Sequence, residues 1–125
     1  MYPTKFKYTQ DHEWIEVTGK TAVVGITDCG QRELQDLTSV VMETKVDAQL
    51  EQGDHFCTVE SVLAASDIHM PVAGKVIEIN ENLADDPESV NTEPHTTWFI
   101  KIEVSDAKQL DELLTAAQYE KFLAE

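Results

Sequence analysis

The sequence predicts a mostly β fold with short helices at its margin, and three observations carry that prediction. Apolar residues recur at every second position in several short runs, as in strands with one buried face. Turn residues separate those runs, at Gly19, Gly53 and Pro71–Gly74. The stretch after Ser105 instead spaces leucines and aromatics three or four apart, as amphipathic helices folded back on a sheet do.

Residues 1–10 read as a polar lead-in. Trp14, Ile15 and Val17, then Thr21 to Ile26, form a hairpin about Thr18–Gly19–Lys20, with Trp14 inward. His12, between Asp11 and Glu13, is expected to be a surface or hydrogen-bonded histidine. Asp28 with Gln31 resembles a capping box for a helix running to about Leu37, with Leu34 and Leu37 on its buried face. Thr38 to Glu43 is a strand, and Lys45 to Gly53 a connection. His55 to Val62, Ile68 to Met70 and Lys75 to Ile79 are strands, joined by a Leu63–Ser66 turn and the Pro71–Gly74 turn. Asp86–Pro87 starts a turn or two of helix through Val90, and Asn91 to Thr97 is loop. Trp98 to Val104 alternates cleanly. Ser105 or Asp106 caps a helix with Leu110, Leu113 and Leu114. Thr115 and Gln118 form a capping box for a last helix carrying Tyr119, Phe122 and Leu123.

At 125 residues the chain is expected to form one domain spanning 1–125. Its net charge of −15 favours a soluble monomer and repels nucleic acid and anionic membranes. The acid concentrates in residues 51–90, where nine carboxylates face Lys75 alone. That stretch is either solubilising or a docking face for a basic partner. Two cysteines, Cys29 and Cys57, permit a disulfide without implying one. The N-terminus lacks a signal-peptide pattern and no apolar run approaches a membrane span, so a reduced cytoplasmic location is expected.

Enzyme chemistry has little support. There is no glycine-rich nucleotide loop, Walker lysine, His-Glu-x-x-His pair or Gly-x-Ser-x-Gly elbow. Cys29 lies near a helix start but lacks a base or a second cysteine beside it, so it reads as a small hydrophobe. His55 and Cys57 share a strand face in ideal alternation, and with His69 they could outline a soft metal site. The tetrahedral complement is incomplete. No catalytic residue and no metal are therefore expected.

Blocks spread along nearly the whole chain carry a resemblance: Asp11-His12-Glu13-Trp14, Val24-Gly25-Ile26-Thr27-Asp28, Gly53-Asp54, Glu60-Ser61-Val62, Ala64-Ala65-Ser66-Asp67-Ile68, Pro71-Val72 and Gly74. They continue with Val76, Val90-Asn91, Glu93-Pro94, Trp98 and Tyr119. In these the chain resembles the H protein of the glycine cleavage system. The resemblance implies a flattened barrel-sandwich hybrid of the lipoyl/biotinyl type. It also implies a lipoyl group held in amide linkage by a lysine at a hairpin tip. That arm carries an aminomethyl group from a glycine decarboxylase to an aminomethyltransferase, and a dihydrolipoamide dehydrogenase reoxidises the dithiol. Lipoate-transfer enzymes are a further implied class of partner. The protein is then a mobile substrate, not an enzyme.

The family pattern Glu-Ser-Val-Lys-Ala-Ala-Ser-Asp stands here as Glu60-Ser61-Val62-Leu63-Ala64-Ala65-Ser66-Asp67. Leu63 occupies the position the resemblance assigns to the lipoyl lysine, and leucine has no nucleophile. Lys45 and Lys75 lie outside the motif. Further departures are Gln35-Asp36-Leu37, where the family carries Gly-Asp-Ile or similar, Met42-Glu43-Thr44-Lys45 in place of a Leu-Pro segment, and His95-Thr96-Thr97 in place of a glycine-bearing loop. The expectation is a non-lipoylated H-like protein without cofactor, a binding or regulatory homologue that keeps the docking surface. The alternative is the organism's own aminomethyl-carrying H protein with its lipoyl lysine altered at position 63.

Overall fold

A computed structural model of the chain describes residues 2–125. Among the described residues, nine strands form two antiparallel sheets. The larger has the order β1 (Lys7–Tyr8), β2 (Glu13–Thr18), β3 (Thr21–Ile26), β9 (Ile100–Val104), β8 (Gly74–Ile79) and β5 (Gln49–Leu50). The smaller has the order β4 (Leu37–Met42), β6 (His55–Ser61), β7 (Ala65–His69). Ile15, Val24 and Ile102 from the first sheet bury against Val40, Phe56 and Val59 from the second. This is the flattened sandwich of lipoyl/biotinyl type that the resemblance implies. Strand alternation places these side chains between the sheets, and their removal from water is the main driving force for closing them together.

The β2–β3 hairpin turns at Gly19, whose φ of +64° is open to glycine without penalty. Trp14 is buried, and its Nε1 donates to the carbonyls of Ile26 and Pro94, each at 3.0 Å. Gly25 sits under that ring, where a Cβ would overlap the indole. The N-terminal ten residues are not a polar lead-in: Phe6 and Tyr8 are buried. Phe6 stacks on Trp14 with centroids 4.3 Å apart, and Tyr8 stacks on Tyr119 at 4.7 Å. This second core exists because α3 (Ala116–Ala124) folds back over β1. The Thr115–Gln118 capping box that starts α3 is present as expected.

Helix α1 (Asp28–Leu34) is capped by Thr27, whose Oγ1 accepts from the Gly30 N–H at 3.1 Å. Gln31 does reach Asp28, but side chain to side chain, at 2.9 Å. The helix stops at Leu34 because Gln35 takes φ +64° and Leu37 already belongs to β4. Asn91 fixes this turn: its Nδ2 donates to the Gln35 carbonyl at 2.8 Å, and its Oδ1 accepts from the Leu37 N–H at 2.9 Å. Asn91 belongs to α2 (Ser89–Thr92), which begins after Pro87 rather than at it. The Lys45–Gly53 connection contains β5, and β9 starts at Ile100 instead of Trp98. Asp106 caps a short 3-10 turn, Ala107–Glu112, in place of the expected helix.

Candidate functional site

Strands β6 and β7 make the hairpin that projects Leu63. Glu60 pairs with Ala65, Val59 with Ser66 and Thr58 with Asp67, so β7 begins three residues earlier than its apolar content suggests. Small side chains continue the ladder here because ladder bonds need only backbone. Three residues, Val62 to Ala64, close the turn. The Ser61 N–H donates to the Ala64 carbonyl at 3.0 Å, and Ser61 Oγ accepts from the N–H groups of Leu63 and Ala64 at 3.2 and 3.3 Å. Val62 donates its N–H to the Asp36 carbonyl at 3.1 Å, tying the tip to the segment before β4. A hydrogen-bonded turn thus presents the side chain at 63 to solvent. Leu63 is 62% exposed and Val62 61%, an apolar pair where isolated packing would favour polar groups. Glu60, Ala64, Ala65 and Asp67 are exposed around them, with Ser61 half-buried.

Asp67 is held from the side. His55 Nε2 stands 3.1 Å from Glu43 Oε1, 3.5 Å from Asp67 Oδ1 and 3.0 Å from Thr58 Oγ1. Thr58 Oγ1 also donates to Glu43.

The other end of β7 reaches a cleft of about 450 Å³ lined by Tyr8, Glu13, Gly53, His69, Pro71 and Leu114. Its floor holds Glu13, a carboxylate only 3% exposed. Glu13 Oε2 accepts the His69 N–H at 3.0 Å, and Oε1 accepts from Thr9 Oγ1 at 3.1 Å. Burial raises its pKa from 4.5 to about 7, partly offset by these two hydrogen bonds. Such a group takes up a proton near neutral pH. Sequence reading missed Glu13 as a buried acid, although it shares strand parity with the inward Ile15 and Val17.

The His55, Cys57, His69 grouping is not assembled. A bulge between His55 and Cys57 buries Phe56 and Cys57 together, so His55 and Cys57 leave the strand differently. Among the described residues the two clusters with metal-ligand spacing are His12–Cys29–Glu33 and Asp11–Glu13–His69. Cys29 and Cys57 are free thiols, and burial pushes Cys57 up to about 12. Cys29 is also raised, by burial and then by Glu33, so it is not an activated nucleophile. Lys75 pairs with Asp47 at 3.6 Å on β8, in the other sheet from the tip. No described helix is long and apolar enough to cross a membrane.

Comparison with known proteins gives one answer throughout. The family model for the glycine cleavage H-protein matches residues 6–125. The chain is 49% identical to the glycine cleavage system H protein of Acidobacterium capsulatum, over 99% of this chain and 95% of that protein. It is 44% identical to the Staphylococcus epidermidis H protein, over 98% of each. A crystal structure of the Mycobacterium marinum H protein superposes with a TM-score of 0.89 at 30% identity, covering 99% of this chain and all of that one.

These matches correct two expectations. The first is that the chain is a non-carrier binding or regulatory homologue. The second is that no cofactor belongs to it because Leu63 blocks the site. Likeness of 44–49% to H proteins of several bacterial groups, over almost the full length, speaks for a genuine H protein rather than a non-carrier variant with its site abandoned. The physical counterpart is a hairpin whose turn, flanking small residues and exposure are all in place. The chain belongs to the glycine cleavage H-protein family.

Proposed function

We propose that this chain is the aminomethyl-carrying H protein of its organism with its lipoyl lysine altered at position 63, so that the leucine form keeps the presenting hairpin but not the amine. The observation that carries the reading is the tip itself. Side chain 63 is exposed on a turn fixed by Ser61, flanked by Glu60, Val62, Ala64, Ala65 and Asp67. A lipoyl group held by a lysine there would supply a dithiol on a long tether as the carrier of the aminomethyl group. The chain's own part is presentation. The Ser61 hydroxyl fixes the turn, the small alanines let an enzyme approach, and the sandwich supports the tip.

The partners of this reading are a glycine decarboxylase, an aminomethyltransferase, a dihydrolipoamide dehydrogenase and a lipoate-transfer enzyme. The nine carboxylates of residues 51–90 favour basic surfaces on them. Position 63 is the attachment point, and family membership supports a carrier rather than a catalyst. A leucine side chain offers no amine, so the test is Leu63→Lys. With lipoate, ATP and a lipoate ligase, that variant gains one lipoyl mass at residue 63. A folded variant that gains none overturns the reading.

A further inference from the structure

Away from the hairpin, three different donor atoms converge beside the start of α1. Cys29 and Glu33 are four residues apart on α1 and so share a face, with Cys29 Sγ 3.8 Å from Glu33 Oε2. His12 comes from the loop before β2, where φ is +71°. Its Nε2 lies 3.6 Å from the same Glu33 oxygen. The imidazole, thiol and carboxylate donor atoms all lie within 4.8 Å of one another.

The support behind His12 is specific. His12 Nδ1 lies 2.7 Å from Tyr119 Oη, which lies 2.8 Å from Thr27 Oγ1. With Nδ1–H donating to the tyrosine oxygen, and the tyrosine hydroxyl donating to Thr27, Nε2 keeps its lone pair. Such outer hydrogen bonds fix the tautomer and ring orientation of metal-binding histidines. Glu33 is an exposed third donor, its side chain 64% exposed against 18% for His12.

Tetrahedral zinc has Zn–S of about 2.3 Å and Zn–N or Zn–O of about 2.0–2.1 Å, which sets S···O near about 3.5 Å and N···O near about 3.3 Å. The observed separations, 3.8 and 3.6 Å, each exceed these by about 0.3 Å, which a rotamer adjustment of Glu33 closes. We propose that His12, Cys29 and Glu33 form a zinc-binding site with one coordination position left for water. On binding, the Cys29 thiol proton leaves to solvent, the thiolate and the other two donors bond the metal, and nothing is oxidised or reduced. Imidazole and thiolate together favour zinc over magnesium or calcium.

The test uses the full chain without a histidine tag, stripped of metal by chelation. Zinc chloride is titrated calorimetrically, and cobalt(II) chloride is followed by absorption as an open-shell substitute. The proposal expects one equivalent of zinc and a thiolate-to-cobalt charge-transfer band. Cys29→Ser removes the band, and both Cys29→Ser and Glu33→Gln weaken zinc binding by at least about tenfold. Both positions lie on the surface of α1, and unchanged thermal melts verify the fold. Absence of the cobalt band in the unsubstituted chain overturns the proposal. So does zinc binding that survives both substitutions, or that is lost only with His69→Ala, which locates it at Asp11, Glu13 and His69.

Discussion

Glu13 Oε2 accepts the backbone N–H of His69 at 3.0 Å, joining β2 of the six-stranded sheet to the end of β7 in the three-stranded one. A buried acid therefore anchors the strand that leads to the hairpin tip.

That acid makes stability depend on pH. Burial raises Glu13 from 4.5 to about 7, so the folded chain holds a proton that the unfolded chain releases above about pH 4.5. Stability falls as pH rises from there to about 7, by an amount on the order of 2–3 kcal/mol. Below that window both states are protonated and the penalty is absent. Glu13→Gln removes the titration. Urea denaturation across the window should show the variant gaining on the parent as pH rises, and a pH-independent difference would count against the buried acid.

Tyr119 bridges His12 Nδ1 and Thr27 Oγ1 with one hydroxyl, and all of Tyr119 is buried. Tyr119→Phe keeps the stacking on Tyr8 but strips both partners. The expected cost is about 1–3 kcal/mol in urea denaturation, because a buried hydroxyl partner is left unsatisfied. A neutral result would mean that water replaces the bridge.

Gln35 ends α1 with φ +64° and ψ −154°, a region that favours glycine. The resemblance described above implies glycine at this position. Gln35→Gly leaves intact the backbone bond from residue 35 to the Gln31 carbonyl. The relief should outweigh the added freedom of the unfolded chain, with a net gain of about 1 kcal/mol and a rise in Tm of about 4 °C. A lower Tm would show that the turn is unstrained.

Much of the sandwich was legible because period-two alternation and turn glycines act locally. Gly19 fixes the β2–β3 hairpin, and Thr115 with Gln118 starts α3. The misses are long-range. Phe6 and Tyr8 are buried only because α3, more than a hundred residues away, returns to cover them. The bulge at Phe56–Cys57 broke the alternation that grouped His55 with Cys57. At the site, position 63 was legible as an exposed tip because small residues surround it. Its meaning was misread: one side chain was taken to speak for the whole protein, while the rest of the hairpin kept its carrier architecture. The convergence of His12 with Cys29 and Glu33 depends on the left-handed backbone at His12, which no spacing rule reveals.

The most direct measurement is the intact mass of Leu63→Lys after incubation with lipoate, ATP and a lipoate ligase, with the site mapped by peptide fragmentation. A retained lipoyl site predicts a single lipoyl addition at residue 63, on a chain with an unchanged thermal melt. An unmodified mass on a folded chain, or an addition mapped to Lys45 or Lys75, would contradict it.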